Sequence, residues 1–153
     1  MSRDLVDPRA DFGHANGVRM PVFYSPLYTA GLSDAARFPK HRYRLTEAAL
    51  RERGAPVDIR PAPAAVRADA LEAHAASYVD AFLEGRLDAA RARRIGLTPW
   101  TEDIRARTLQ LLGGSLAAFE AVRASAGIAG NLGGGTHHAH RGDGAGYCLF
   151  NDL

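Results

Sequence analysis

Disulfide-forming capacity is what this sequence has least of. Cys148 is its one cysteine, which excludes an intrachain disulfide and any zinc site built from several thiolates. Lysine is as scarce: Lys40 is the one lysine among 19 basic residues, the rest being arginine. Together with the abundant alanine, that bias reads as a GC-rich coding sequence rather than as chemistry. Charge of one sign is also lacking. The 17 acidic residues leave a net charge of +2, which makes no case for nucleic acid or an anionic membrane as partner. No stretch approaches the ~20 apolar residues of a membrane span. The N-terminal segment Met1–Asp11 carries charges throughout and so lacks a signal-peptide core. A cytoplasmic protein is the expectation.

What is present suits a folded domain. The chain has 153 residues, 46% apolar and 24% charged, enough for one ordinary domain and hardly two. Residues 1–19 show no apolar period and read as a loose arm, so the domain is expected over 20–153, with Met20 an alternative start. Met20–Tyr24, closed by Ser25-Pro26, suits a buried strand, and Val57-Asp58-Ile59 a second one. A helix is expected from Arg42 to Arg53, stopped by Gly54-Ala55-Pro56. Leu71, Ala75, Tyr78, Val79, Phe82 and Leu83 make one apolar helical face, ended by Gly85. Arg86–Arg94 reads as a solvated helix face rather than a docking site for acidic substrates, and Trp100 as packing. Thr101 as a hydroxyl cap, followed by Glu102 and Asp103, starts a helix running to about Ala124. Ile104, Thr108, Leu111, Leu112, Ser115, Phe119 and Val122 are expected on its buried side. Gly113-Gly114 inside it costs about 1 kcal/mol per glycine relative to alanine, which close approach of another backbone would offset. Ile128–Leu132 is a short apolar segment, and Tyr147–Phe150 another. Strands alternating with helices argue an α/β fold with a mainly parallel sheet, whose ligands sit in loops beyond the strands' carboxyl ends.

Gly133–Gly146 holds that position. Gly133-Gly134-Gly135-Thr136-His137-His138-Ala139-His140 gathers three of the six histidines after an expected strand. Adjacent imidazoles on such a turn form a proton-handling pair, since histidine titrates near neutrality. Other readings of the same residues stand beside that one. The histidines are loop residues bonded to backbone, or His138 and His140 bind a metal with Asp143 or Asp152. A phosphate cradle is discounted, because no Lys-Ser/Thr follows and no G-x-G-x-x-G opens a helix.

Residues 133–152, with their glycines, His-His pair, spacer, Gly-Tyr-Cys and Asn-Asp, resemble the signature of the zinc-dependent histone deacetylase superfamily. That group includes bacterial acetoin-utilisation and acetylpolyamine-amidohydrolase relatives. Phe23-Tyr24-Ser25-Pro26 is similar to the family's first strand. Phe38-Pro39-Lys40-His41-Arg42-Tyr43-Arg44-Leu45 resembles the bacterial branch nearest the class IV deacetylases. Leu71–His74, Ser77-Tyr78-Val79 and Arg93–Leu97 also fit, so the resemblance covers roughly residues 20–153.

The resemblance implies an arginase/deacetylase-type α/β fold, a parallel sheet between helices, and amide hydrolysis of acetyl-lysine or a small acetylated amine. It implies His138 as general base and His137 as its electrostatic partner. Gly146 would meet the substrate amide through its carbonyl, and Tyr147 would wall the acyl-lysine channel. Cys148 is expected to pack rather than attack, and Asn151 and Asp152 to support the loop. His140 has no implied role. The family's zinc is held by an Asp-x-His pair and a later Asp, all beyond Asn151-Asp152, and its carbonyl-polarising tyrosine lies later still. The expectation is therefore the N-terminal half of a deacetylase, with zinc in the full-length enzyme, none bound by this chain and no activity of its own. A sheet edge and the apolar sides of Ile128–Leu132 and Tyr147–Phe150 would be uncovered and invite self-association. The alternative is a non-enzymatic interaction or regulatory module that keeps half the fold.

Overall fold

The computed structural model describes residues 19–34, 38–97, 100–125 and 127–153. Apart from Arg19, the expected N-terminal arm lies outside them. The alternation appears as β1 (Met20–Tyr24), a 3-10 turn at Pro26–Thr29, α1 (Arg42–Glu52) and β2 (Val57–Pro61). Then follow α2 (Arg67–Leu71), α3 (Ala76–Leu83), α4 (Ala89–Ile95), α5 (Glu102–Ser125) and β3 (Gly130–Asn131).

Val22 and Phe23 point to opposite faces of β1, and both are buried. A strand covered on both faces belongs in the middle of a parallel sheet flanked by helices. The sheet is parallel with order β2-β1-β3. Met20 faces Val57 and Tyr24 faces Pro61 on one side, while Val22 faces Gly130 and Phe23 faces Asn131 on the other. Pro61 has no amide to give the ladder, and among the described residues β2 has β1 as its one partner, where that loss is tolerated. Arg19 ties the entry to β1, donating to the carbonyls of Val57 (2.9 Å) and Ala55 (3.1 Å).

Four local expectations are corrected. The helical face drawn through Leu71–Leu83 is split between α2 and α3. At the break Ala75 is extended and its amide donates to the carbonyl of Arg141 at 2.7 Å, outside any helical ladder. Ile128–Leu132 contributes two strand residues, and Ile128 is 75% exposed. Leu132 adds one bond to the carbonyl of Phe23, and the Gly133 amide then turns back onto Asn131 Oδ1, an Asx-type turn that ends the strand. Thr101 does not cap α5 through its hydroxyl: Thr101 Oγ1 is buried without a hydrogen-bond partner among the described residues. Phe119, expected on the buried side of α5, is 60% exposed, and Leu116 lies part-exposed near it.

Gly113 lies where another stretch of backbone crosses α5. A Cβ at Gly113 would lie 2.2 Å from the carbonyl oxygen of Pro63 and 2.6 Å from the amide of Ala65. Only glycine lets the chain after β2 press onto the helix, where the Ala65 amide donates to the Leu109 carbonyl at 2.9 Å. The opposite side of the core is aromatic. Phe82 meets Phe150 edge-on at 5.0 Å and Trp100 at 6.1 Å, so Trp100 packs as expected. Tyr78 lies edge-on to Phe150 and donates its hydroxyl to the carbonyl of Leu149 at 2.8 Å. Cys148, Leu149 and Phe150 are therefore buried within the chain, against the expectation that this run would lie uncovered. α4 carries its arginines outward, with Asp88 accepting from the Arg91 amide at the helix start. Among the described residues no helix is long and apolar enough to cross a membrane.

Candidate active-site loop

The loop after β3 is held from beneath by a polar relay. Asn131 Oδ1 accepts from the Tyr28 hydroxyl (2.7 Å) and the Gly133 amide (3.1 Å). Its Nδ2 donates to the Leu111 carbonyl and to Ser115 Oγ, each at 3.1 Å. All four hydrogen-bonding capacities of the amide are thus used, which fixes its orientation. Ser115 passes the connection on, donating to Asp152 at 2.6 Å. Asp152 also accepts from the amides of Gly135 (3.0 Å) and Thr136 (2.6 Å) and from the Thr136 hydroxyl (2.7 Å). Hydrogen bonds to an ionised acceptor are about twice as strong as neutral ones. One carboxylate near the end of the chain thereby fixes the turn that precedes the histidine pair. Asn151 adds a bond from Nδ2 to the carbonyl of Ala139 at 3.0 Å, so both residues brace the loop as the sequence implies.

That brace bears on two of the readings of the loop, while the bond from His137 Nδ1 to the Gly135 carbonyl fits the reading of loop histidines held by backbone. A phosphate cradle needs free amides, but those of Gly133, Gly135 and Thr136 are already bound to Asn131 and Asp152. A metal site on His138 and His140 would need Asp143 or Asp152. Asp143 is ion-paired with Arg94 and accepts from the Gly144 amide, and Asp152 takes four donors. Among the described residues no group of three or more His, Cys, Asp or Glu is placed to hold a metal ion.

The two imidazoles do come together. The ring centroids of His137 and His138 lie 4.2 Å apart at 42°, and both residues are exposed. His137 Nδ1 lies 2.9 Å from the carbonyl oxygen of Gly135. A carbonyl only accepts, so Nδ1 carries the hydrogen and Nε2 is left as the lone-pair nitrogen of the neutral ring. His138 packs against Gly146, where a Cβ would sit 3.2 Å from its Cγ and Cδ2. The spacer returns the chain through two tight antiparallel bridges, His140 with Asp143 and Ala145 with Cys148. Among the described residues His140 is bonded through its backbone, and its ring is exposed.

Tyr147 has φ +69°, the one non-glycine residue in the left-handed region among those described. Such a conformation costs about 1–3 kcal/mol and persists where surroundings over-determine it. Its amide donates to the Ile95 carbonyl at 2.7 Å, and its ring meets Phe38 edge-on at 5.5 Å. The ring packs toward Gly96 and lines a cavity of ≈ 10 Å³ with Thr136, Arg107 and Leu149. Cys148 Sγ lies 3.5 Å from the Gly146 carbonyl, and burial pushes its thiol up from the usual range. It stays protonated near neutrality and packs, as the sequence reading expects.

Sequence reasoning missed three contributors. Arg107 is 2% exposed, donates to the Tyr28 carbonyl at 2.8 Å and lies over the ring of Phe38. His74 is buried and bonded to both ends of the loop's second half. Asn131 is the hub of the relay. The available signal was a polar side chain at an otherwise apolar position, which Asn131 shows within Ile128–Leu132.

The comparisons agree with this geometry. The histone deacetylase domain model matches residues 36–153. An uncharacterized protein of Picosynechococcus sp. is 37% identical over 135 residues, covering 87% of this chain and 44% of that protein. The acetoin utilization protein AcuC of Bacillus subtilis is 34% identical over 87 residues, 52% of this chain and 22% of that protein. The chain thus spans less than half the length of the curated relatives it matches. A parallel α/β sheet, a braced Gly-rich turn with paired histidines, and a domain match over most of the sequence converge: the chain belongs to the histone deacetylase family.

Proposed function

We propose that this chain carries the proton-handling and substrate-lining part of a zinc-dependent deacetylase, which hydrolyses the amide of acetyl-lysine or of a small acetylated amine. The observation that carries the reading is the His137–His138 pair at 4.2 Å, with His138 seated against Gly146. His138 takes a proton from the attacking water and returns it to the departing amine, so the proton count balances over the cycle. His137, anchored through Nδ1 to Gly135, holds charge beside the developing tetrahedral centre. The Gly146 carbonyl, which takes only a long contact from Cys148 Sγ among the described residues, accepts from the substrate amide N–H. Tyr147 walls the acyl chain.

Zinc is the metal the family resemblance implies, and when bound it supplies a water of lowered pKa. Among the described residues the donors do not fit it: Asp143 and Asp152 are engaged elsewhere, and no three-residue donor group forms. The zinc ligands are proposed to come from outside the described residues. A second reading, a non-enzymatic interaction module, draws support from the exposed Leu116, Phe119 and Ile128 and from β3, which pairs only with β1 among the described residues. Self-association through that edge belongs to this reading. Acetate release decides between the two. The native protein in which this sequence occurs is expected to free acetate from acetyl-lysine peptides or acetylated polyamines in the presence of zinc. Failure on every such amide would defeat the enzymatic reading.

A further inference from the structure

The break between α2 and α3 places a buried imidazole against the loop from the far side. His74 is 2% exposed. Its Nε2 accepts the Asn151 amide at 2.8 Å, and its Nδ1 lies 2.9 Å from the carbonyl oxygen of His140. An amide only donates and a carbonyl only accepts, so a single protonation state satisfies both: neutral, with the hydrogen on Nδ1. Those partners bracket the segment from His140 to Asn151, and Asn151 directly precedes the carboxylate that fixes Gly135 and Thr136. We propose that His74 is an acid-released clamp, a positioning residue that holds both ends of this segment and, through Asp152, the turn bearing His137 and His138.

Protonation would add a hydrogen at Nε2 and oppose it to the Asn151 N–H, so the imidazolium must give up that bond. Among the described residues no acidic group is found that compensates the charge. The groups facing His74 are the rings of Tyr78 (5.6 Å) and Phe150 (5.2 Å) and the backbone carbonyls of His140 and Arg141. Asp143 acts on the Tyr78 hydroxyl but is not among the influences on His74. Burial accordingly lowers His74 below its ordinary 6.5, against a smaller upward pull from the two carbonyls. The sign follows from linkage. The clamped state holds fewer protons than the open one, so the clamp has full strength above pH 6.5 and weakens as pH falls from there toward the lowered value. The opening constant grows by up to about tenfold per pH unit in that window.

Only the link to catalysis rests on the function proposed above. The test is read without activity, so a failure to deacetylate leaves it standing. Imidazole 15N spectra of the chain at neutral pH are expected to show His74 with Nδ1 protonated and Nε2 bare. Amide hydrogen exchange at Asn151 and Thr136, corrected for intrinsic rates, is expected to give an opening constant that climbs steeply below about pH 6.5. His74→Gln offers an N–H to His140 and an oxygen to Asn151 without titrating, so its opening constant should stay flat. The exposed His137, His138 and His140 remain in that variant and serve as its internal control. A protonated Nε2, a pH-independent opening in the unsubstituted chain, or an equal slope in H74Q would overturn the clamp. If H74Q does not fold, the tautomer and the slope of the unsubstituted chain decide alone.

Discussion

Removing the Asp152 carboxylate should loosen the loop more than any other single change near it. Asp152→Ala strips the acceptor from two amides (Gly135, Thr136) and two hydroxyls (Thr136, Ser115), with donor–acceptor distances of 2.6–3.0 Å. Asp152 is only half-buried, so solvent screens its charge, and at about 1 kcal/mol net per bond, below the range for buried charged acceptors, the sum approaches about 4 kcal/mol. Gly135 is exposed, so water replaces its partner, and about 3 kcal/mol is the expected loss once one bond is discounted. Asp152→Asn keeps the oxygen serving Thr136 but opposes an NH2 group to the Gly135 amide, so about 1–2 kcal/mol is expected. Ser115→Ala removes a hydroxyl that both variants also affect, and D152A/S115A should fall short of the sum of the single changes. Urea unfolding with an unchanged m-value measures each step. D152A within about 0.5 kcal/mol of the parent, the scatter of neutral surface changes, would refute the reasoning. So would D152N as damaging as D152A.

The remaining expectations are simpler. Gly113→Ala should lower stability by about 1–3 kcal/mol in urea unfolding through overpacking against Pro63 and Ala65, despite the ~1 kcal/mol helix gain of alanine over glycine. The reverse sign would show that the chain after β2 yields. Cys148, buried and shifted upward, should react with a thiol reagent at pH 8 only as fast as the chain opens, so stoichiometric labelling of folded protein within seconds would contradict its packing role. Phe119→Glu, at a 60% exposed site, should leave stability within about 0.5 kcal/mol and reduce association in sedimentation. Unchanged association would point to the β3 edge instead.

Much of the fold was legible because periodicity and punctuation carry it. Met20–Tyr24, Arg42–Glu52 and the long α5 emerge where a buried strand, an apolar helical face and an acidic first turn place them. The Gly113-Gly114 pair signalled a close backbone approach, which is there at Gly113, whereas Gly114 makes room for the side chains of Tyr28 and Asn131. Boundaries set by tertiary partners were not legible. Nothing local says that Ala75 donates to Arg141 instead of continuing a helix, or that Asn131 curtails β3 by spending its side chain on α5. Phe119 looked buried because helical period says which residues share a face, not how far along the helix cover extends. In the loop, the histidine pair and its braces were readable from the motif. His74 was not, since its partners lie 66 and 77 residues away.

The central claim, that His138 moves the proton, is tested most directly by His138→Ala in the native protein assayed on an acetyl-lysine peptide with zinc content measured in parallel. General acid–base catalysis contributes about 10²–10⁴-fold, so kcat should fall at least about 100-fold while bound zinc is unchanged. Activity within a few-fold of the parent, at equal zinc content, would contradict the account.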